Sequence, residues 1–276
     1  MKKVLLALVI AGMFAGSAFG AGLKTGMLSL TNMSSEEFAK FTESHFVNEG
    51  GWRLLDKNHG SEDIFVAFDD LASMMMALHS DKVDDVALPE PIAEYVKATD
   101  AGVEVTCAIR SRVTYLALGF RNDEAGQKLC AKVNEALSAM KANSSLNSLT
   151  SKYLDQPGRT IPAAEAFAKF PGAETLKVAI TGDLPPLDMI ASDGKPVGFN
   201  TAVLSEIGRK LGVNIELINV DAGARTSALM SGRVDVVFWY HIWQDVEKQP
   251  DVVDGILLSE PYYGWDTALH LRNFRR

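Results

Sequence analysis

The sequence predicts an α/β fold with two lobes that are built alike. From Leu23 onward, short apolar runs alternate with amphipathic helical stretches, which is the order typical of α/β proteins. The alternation stops near residue 155 and restarts near residue 175. An internal similarity links the two halves. Residues 77–86 and 228–237 both show the end of a helix, a tight turn with a basic residue, and a strand beginning Val-Asp.

Length and composition limit the possible classes of protein. A chain of 276 residues accommodates two domains or one large domain. With 47% hydrophobic and 22% charged residues, it can form a sizeable core, which excludes a disordered chain, a collagen-like repeat and a disulfide-stapled miniprotein. The formal net charge is −8, and the chain contains no run of Lys and Arg. Nucleic acid and anionic membrane surfaces are therefore not expected as main partners.

The first 20 residues are predicted to be a signal peptide. Lys2 and Lys3 form a positive start, Val4–Ala15 is an apolar run too short to span a membrane, and Ala18-Phe19-Gly20 supplies small residues for cleavage before Ala21. The alternative, a buried N-terminal helix or strand, leaves the two lysines unexplained. We expect an exported protein without stable membrane insertion.

The elements of the first half follow from local patterns. Ser34-Ser35-Glu36-Glu37 fits a capping box that opens the first helix, and Asn122-Asp123 caps the fourth. The predicted strands are Thr25–Leu30, Asp63–Phe68, Asp85–Leu88, Val103–Ala108 and Val113–Phe120. The predicted helices are Ser35–Phe46, Leu71–His79, Ile92–Ala98, Glu124–Ala142 and Leu146–Tyr153.

A linker precedes the second half. Gln156–Pro162 breaks the pattern, and Ala163–Phe170 is predicted to be a small alanine-rich helix. The predicted strands beyond it are Leu176–Ile180, Asn214–Val220, Val234–Trp239, Gly255–Leu258 and Trp265–Leu271. The predicted helices are Asn200–Leu211 and Ala222–Ser231, with Gln244–Gln249 as a polar loop or helix.

The cysteines and histidines indicate no metal site. An oxidising compartment permits a bridge between Cys107 and Cys130, but two buried free thiols are the favoured interpretation, and both stay open. No Cys/His metal spacing exists, so no metal or other cofactor is expected. The five histidines are His45, His59, His79, His241 and His270.

Four motifs occur in order in the second half: Leu184-Pro185-Pro186-Leu187, Gly198-Phe199-Asn200, Ser231-Gly232-Arg233-Val234-Asp235 and Ser259-Glu260-Pro261-Tyr262-Tyr263. Together with the opening strand, they resemble the first lobe of the extracytoplasmic solute-binding proteins of amino-acid-type ABC transporters (bacterial solute-binding protein family 3). That lobe carries a Tyr-Pro-Pro-Phe-like loop, a Gly-Phe-Asp helix start, a Ser-Gly-x-Val-Asp strand and a closing Ser-Asp-Pro-Tyr-Tyr motif.

The first half resembles the second lobe of the same family. The resemblance is carried by Val83-Asp84-Asp85-Val86, Pro91, Tyr95, Leu116–Arg121 and Lys141–Leu146. With the motifs of the first lobe, the match covers nearly all of the chain that follows the predicted signal peptide.

The order of the two halves is reversed relative to the family. Leu23–Leu154 resembles the family's second half, and Thr175–Asn273 resembles its first half. A circular permutation explains this order, with Asp155–Glu174 joining the old termini. The alternative is a chain assembled from halves of two tandem copies, in which each half needs a partner chain.

The resemblance implies the two-lobed periplasmic-binding-protein fold (type II) with a hinged interlobe cleft. Ser111–Ala117 and Tyr263–Ala268 should then run side by side as the hinge, and Glu124–Tyr153 should pack on the Thr175–Ser259 lobe. The expected division is a signal peptide (1–20), the second lobe (21–110), a crossing strand with the C-terminal helices of the first lobe (111–154), a linker (155–174), and the first lobe with its crossing strand (175–276).

The function that the resemblance implies is that of a receptor. A monomer in the periplasm would capture a small polar or amino-acid-like ligand between its lobes and deliver it to an ABC permease. Two alternatives stay open: a secreted, cyclohexadienyl-dehydratase-like enzyme of the same fold, and a ligand-sensing subunit for a separate sensor kinase. We expect no enzyme, because the sequence shows no nucleophile elbow, metal set or P-loop.

The sequence departs from the family at both of its usual ligand anchors. No Arg follows Val234–Phe238 to hold a carboxylate, and Pro89 stands where an Asp would hold an ammonium group. Replacement candidates are Arg225, near the start of a helix, and Glu90, beside Pro89. Their alternatives are a surface helix arginine and a solvated loop carboxylate.

Other candidate ligand-binding residues lie at strand ends and at a helix start. An aromatic cluster is formed by Trp239, Tyr240, His241 and Trp243, and a flat or cationic ligand could stack on it. One or two of these four are expected to be simple core residues. Asp183 precedes the Pro-Pro loop. Thr31 and Asn32 lie near the N-terminus of the first helix and match the family's anion contact loosely.

Overall fold

A mixed β-sheet runs through both halves of the chain. The computed structural model describes residues 23–29, 33–42, 64–155, 160–163, 166–244, 249 and 251–274. The strands are β1 (Lys24–Leu28), β2 (Ile64–Phe68), β3 (Asp85–Pro89), β4 (Val103–Arg121), β5 (Thr175–Ile180), β6 (Asp183–Leu184), β7 (Asp188–Ile190), β8 (Pro196–Val197), β9 (Asn214–Asn219), β10 (Val236–Trp243), β11 (Ile256–Leu258) and β12 (Tyr263–Asn273). The helices are α1 (Ser35–Thr42), α2 (Leu71–His79), α3 (Glu90–Thr99), α4 (Glu124–Ala142), α5 (Ser145–Tyr153), α6 (Phe199–Leu211) and α7 (Arg225–Met230).

The strand order shows two lobes with the same plan. The main sheet has the order β2-β1-β3-β12-β4-β10-β5-β9. In the N-terminal lobe, β2, β1 and β3 are parallel, and β12 is antiparallel to β3. In the C-terminal lobe, β9, β5 and β10 are parallel, and β4 is antiparallel to β10. The predicted α/β fold with two lobes is therefore confirmed.

Two long strands connect the lobes. The sequence predicts two strands over 103–120, whereas β4 is one strand of 19 residues. It pairs antiparallel with β12 from Leu116↔Tyr263 to Val103↔Asn273, and the register shifts between Trp265 and Thr267 and between His270 and Leu271. Pairing with β12 on both sides of these shifts explains why the polar stretch of β4 stays extended. The prediction that the two segments run side by side is confirmed.

The helices that follow β4 pack on the C-terminal lobe. α4 and α5 contact each other, and both contact α6. Asp123 caps α4 by accepting a hydrogen bond from the backbone N–H of Gly126 (2.7 Å). The face of α4 that packs inward is apolar, and its buried residues include Cys130, Val133 and Leu137. The predicted packing of Glu124–Tyr153 on the C-terminal lobe is confirmed, so each lobe contains segments from both halves of the chain.

The predicted helix at Ala163–Phe170 is wrong in its described part, since residues 163 and 166–170 are not helical. The side chain of Asn214 holds this stretch against the start of β9. Its amide oxygen accepts from the Phe170 N–H (2.9 Å), and its amide group donates to the carbonyls of Phe170 (3.1 Å) and Ala173 (3.2 Å). These bonds engage backbone groups that a helix would have used for itself.

Cys107 and Cys130 form no disulfide, and Cys130 is buried within the C-terminal lobe. Within the described ranges, none of the helices combines the length and the hydropathy that a membrane span requires. The predicted signal peptide, residues 1–20, lies outside the described residues.

Candidate functional site

A cleft of about 910 Å³ lies between the two lobes. The N-terminal lobe supplies residues that follow β1 and β2, and the C-terminal lobe supplies residues that follow β5 and β9. Ligands of open α/β sheets bind at such carboxyl ends of parallel strands. The residues that line the cleft are Ser29, Met33, Ser34, Asp69, Asp70, Thr181, Asp183, Asp221, Ala222, Gly223 and Ala224.

The lining of the cleft is acidic. Asp69 and Asp70 face it from one lobe, and Asp183 and Asp221 face it from the other. Partial burial raises the pKa of Asp183, and the charges of Asp70 and Asp221 raise it further, while a hydrogen bond from Thr181 opposes the shift. No Lys, Arg or His is found in the lining among the residues that the structure describes. The cleft therefore carries a negative field to which both lobes contribute.

Three of the four carboxylates differ in their local roles. Asp70 caps α2, because its carboxylate accepts from both the backbone N–H and the hydroxyl of Ser73 (2.7 Å each). Asp221 is exposed and precedes a short 3₁₀ helix, Ala222–Ala224, which turns the chain into α7. Asp183 lies in the two-residue strand β6. Asp183 and Asp221 are thus the carboxylates best placed to meet a ligand.

Arg225 does not point into the cleft, contrary to the expectation from the sequence. It is fully buried at the start of α7, and its guanidinium lies 4.0 Å from the ring centre of Trp239. The guanidinium donates to the carbonyls of Trp239 and Ala222 and pairs with the buried carboxylate of Asp251 at 3.5 Å. Because the start of α7 faces β10, the side chain is directed into its own lobe.

The aromatic cluster of β10 also lies away from the lining of the cleft. Tyr240 is a core residue whose ring covers Gly119 and whose hydroxyl contacts the hydroxyl of Thr226 (3.1 Å). Trp239 is buried and stands at a register shift between β10 and β4, with a left-handed backbone (φ 58°). The expectation that Trp239 or Tyr240 lines the cleft is not met, because strand pairing turns both rings inward.

His241 belongs to an aromatic stack at the junction of the lobes. Its ring stacks on Trp243 with 5.6 Å between the ring centres and meets Trp265 edge-on at 5.8 Å. Trp243 in turn contacts Phe41 of α1 at 5.4 Å, across the boundary between the lobes. The backbone N–H of His241 donates to the carboxylate of Asp251 (3.1 Å). These rings join the lobes beside the hinge strands.

The remaining predicted residues lie at three different places. Glu90 is exposed at the first turn of α3, outside the lining of the cleft. Burial raises the pKa of Tyr263 on β12, and the charge of Glu90 raises it further. Thr31 and Asn32 lie outside the described residues. Asp183 lines the cleft as expected.

Asp69, Asp70 and Asp221 were not predicted as site residues. The sequence did carry a signal for them, because each directly follows or nearly follows a predicted strand end, which is where parallel sheets place ligands. Asp251 carried no such signal, because it is a single carboxylate in a polar stretch whose partner Arg225 is distant in sequence.

A buried polar group lies behind the cleft. Asp188 is fully buried, and one of its carboxylate oxygens accepts from the backbone N–H of Thr181 (3.1 Å), a residue that lines the cleft. The other oxygen and the indole N–H of Trp239 have no hydrogen-bond partner within bonding distance in the described part of the chain. Burial raises the pKa of Asp188 to about 6, although the backbone N–H groups of Gly182 and Thr181 and the indole N–H of Trp239 oppose the shift. The carboxyl behind the cleft wall therefore has a pKa well above the ordinary value of an aspartate.

The family model of the bacterial extracellular solute-binding proteins, family 3, matches residues 176–273. This is about a third of the chain, and it covers most of the C-terminal lobe with β12. The match supports a ligand-binding receptor of the extracytoplasmic kind. No curated protein matches the chain.

Solved structures with weak similarity include proteins of more than one function. The zinc-bound ligand-binding component of an ABC-type import system from Staphylococcus aureus has 11% identity and a TM-score of 0.44, covering 92% of this chain and 66% of its own. The periplasmic aliphatic sulphonate binding protein of Escherichia coli has 12% identity and a TM-score of 0.40, covering 92% and 61%. The regulatory domain of OxyR from Pseudomonas aeruginosa has 10% identity and a TM-score of 0.42, covering 93% and 90%.

Similarities of this size do not identify a function. This chain spans under two thirds of the length of the first two of these proteins.

Proposed function

We propose that this protein is a periplasmic solute receptor that captures a small polar, amino-acid-like ligand between its lobes and delivers it to an ABC permease. The observation that carries the proposal is the cleft of about 910 Å³ at the carboxyl ends of the strands of both lobes. Two long strands, β4 and β12, join those lobes in the manner of a hinge. The family match over 176–273 supports the same function.

The charge of the cleft favours a ligand that bears a positive group. Burial is the main cause of the raised pKa of Asp183, and the negative charges of Asp70 on the opposite wall and of Asp221 on the same wall raise it further, so the three carboxylates repel each other. A cation bound between them would relieve this repulsion, whereas an anion would increase it. Amines and guanidinium compounds, including basic amino acids, are therefore the first ligand class to test.

The reversed order of the halves is best explained by a circular permutation within one chain. Strands from both halves form one sheet, and α4 and α5 from the first half pack on α6 of the second. Each half packs against the other within one chain, which supports the single-chain permutation over an assembly that needs a partner chain. We expect a monomer, which light scattering of the purified protein at several concentrations would test.

The binding experiment uses isothermal titration calorimetry with lysine, arginine, putrescine, glutamate and aliphatic sulphonates. Asp183→Asn and Asp221→Asn should each weaken binding of the cationic ligand by about tenfold, equal to about 1.4 kcal/mol. Glu135→Gln is the matched control, because Glu135 is exposed on α4, outside the cleft lining.

Three outcomes are informative. Tight binding of a cation that both variants weaken supports the proposal. Binding of an anion that the variants leave unchanged overturns the ligand class and the site while leaving a receptor. Conversion of the ligand to a product, measured by mass spectrometry, replaces the receptor with an enzyme of the same fold.

A further inference from the structure

A second cavity, of about 380 Å³, lies in the groove between α5 and α6 of the C-terminal lobe. It shares no lining residue with the interlobe cleft. Its polar lining comes from the α4–α5 turn, from one face of α5 and from one face of α6. The residues that matter for its chemistry are Asn143, Ser148, Lys152, Ser205, Glu206 and Arg209.

A buried hydroxyl in this groove lacks a partner. Ser205 is 2% exposed, and its Oγ makes no hydrogen bond within the described residues. A serine inside a helix usually donates to the carbonyl four residues earlier, here that of Thr201. Because buried polar groups are nearly always satisfied, the Ser205 hydroxyl is a donor and acceptor that a ligand in the groove could meet.

The groove carries more positive than negative charge. Lys152 and Arg209 stand on its two helices, and Glu206 is its one acidic lining residue among those described. Glu206 lies within ion-pair distance of both Arg209 (3.2 Å) and Lys210 (3.8 Å). Its charge is therefore largely compensated, which leaves the cation of Lys152 facing the groove from α5.

The N-terminus of α5 adds to this positive potential. The α4–α5 turn and the first turn of α5 line the groove through Asn143, Ser145 and Ser148. The N-cap residue Ser144 makes no side-chain hydrogen bond to the helix, and the side-chain oxygen of Asn143 accepts from the first backbone N–H of α5, that of Ser145 (3.0 Å). The helix dipole and the N–H groups that follow in the first turn give such a helix N-terminus a positive potential that attracts anions.

We propose that the groove binds a compact oxyanion, a phosphate or a carboxylate, through Lys152, the hydroxyl of Ser205 and the first turn of α5. The donors around the cavity match the acceptor oxygens of such groups. The proposal does not depend on the function of the interlobe cleft, because the two sites share neither residues nor sign of charge.

The test measures binding of inorganic phosphate and of citrate by calorimetry and thermal shift, with sodium chloride at equal ionic strength as the reference. Lys152→Met and Ser205→Ala should each weaken binding at least fivefold. Lys132→Met, an exposed lysine on α4, is the matched control and should bind as the wild type does. Binding of phosphate but not of citrate, or the reverse, identifies which oxyanion the groove accepts.

The stability of Ser205→Ala also distinguishes a loss of oxyanion binding from a loss of folding. Without an oxyanion it should be at least as stable as the wild type, because it removes a buried hydroxyl that lacks a partner. If neither phosphate nor citrate stabilises the protein beyond the chloride reference, or if both variants bind as the wild type does, the proposal is wrong. Asp183→Asn should leave oxyanion binding intact, so failure at the cleft and failure at the groove are distinguishable.

Discussion

Replacing Asp188 by Asn should remove a pH dependence of stability that one buried carboxyl creates. Asp188 is fully buried, and the hydrogen bonds that it accepts from the backbone N–H (3.1 Å) and the hydroxyl (3.5 Å) of Thr181 do not offset the cost of burying its charge. Its pKa is accordingly raised from 3.8 to about 6. The raised pKa means that the folded protein holds the proton of Asp188 more tightly than the unfolded chain does.

The sign and size of the effect follow from linkage. The stabilisation is fully present below pH 3.8, where both states are protonated, and it is lost as pH rises toward and through about 6. One pKa unit corresponds to about 1.4 kcal/mol, so ionisation of Asp188 costs on the order of 3 kcal/mol above pH 6. An Asn cannot ionise, and its amide oxygen can still accept from the Thr181 N–H. The difference in free energy of unfolding between Asp188→Asn and the wild type should therefore be up to about 3 kcal/mol more favourable to the variant at pH 7 than at pH 4.

The assay is urea unfolding of the wild type and of Asp188→Asn at pH 4, 5, 6, 7 and 8. The difference in free energy of unfolding should rise between pH 4 and about pH 7 and stay level from there to pH 8. Asp193→Asn is the control: Asp193 is exposed in a turn, and Lys195 lowers its pKa, so its difference should be small and should not rise with pH. A difference curve for Asp188→Asn that is flat from pH 4 to 7 would refute the argument.

Three further predictions concern packing. Arg225→Ala should lower the free energy of unfolding, measured with urea, by about 3–5 kcal/mol, because it leaves the carboxylate of Asp251 buried without its cation. A variant as stable as the wild type would mean that the ion pair contributes nothing to stability. Gly126→Ala should lower the free energy of unfolding by about 1–3 kcal/mol in the same assay, because the added Cβ would collide with the carbonyl oxygen of Arg121. Unchanged stability would show that α4 can shift to make room for it. Asn214→Ala removes three hydrogen bonds to the linker and should speed limited proteolysis near residues 166–173, whereas an unchanged cleavage pattern would contradict the anchoring role.

Local sequence patterns determined the secondary structure where a helix and its cap are neighbours in the chain. Leu71–His79 and Glu124–Ala142 were predicted with the bounds that the structure has, and the structure shows that Asp70 and Asp123 each cap the helix that follows. The resemblance to a known family added the pairing of the hinge strands and the packing of α4 and α5. Both are long-range relations that no local pattern contains.

The directions of individual side chains were decided by the tertiary structure. The sequence placed Arg225 near a helix start, but only the packing of α7 against β10 turned it toward Asp251 and away from the cleft. The acidity of the cleft has the same origin, since Asp70 and Asp183 belong to different lobes and repel each other only after the sheet has formed. Periodicity fixes which face of an element is buried, whereas the partner of a buried charge depends on which elements meet. The sequence by itself thus determined two α/β lobes, and the assembled sheet decided which carboxylates face a ligand.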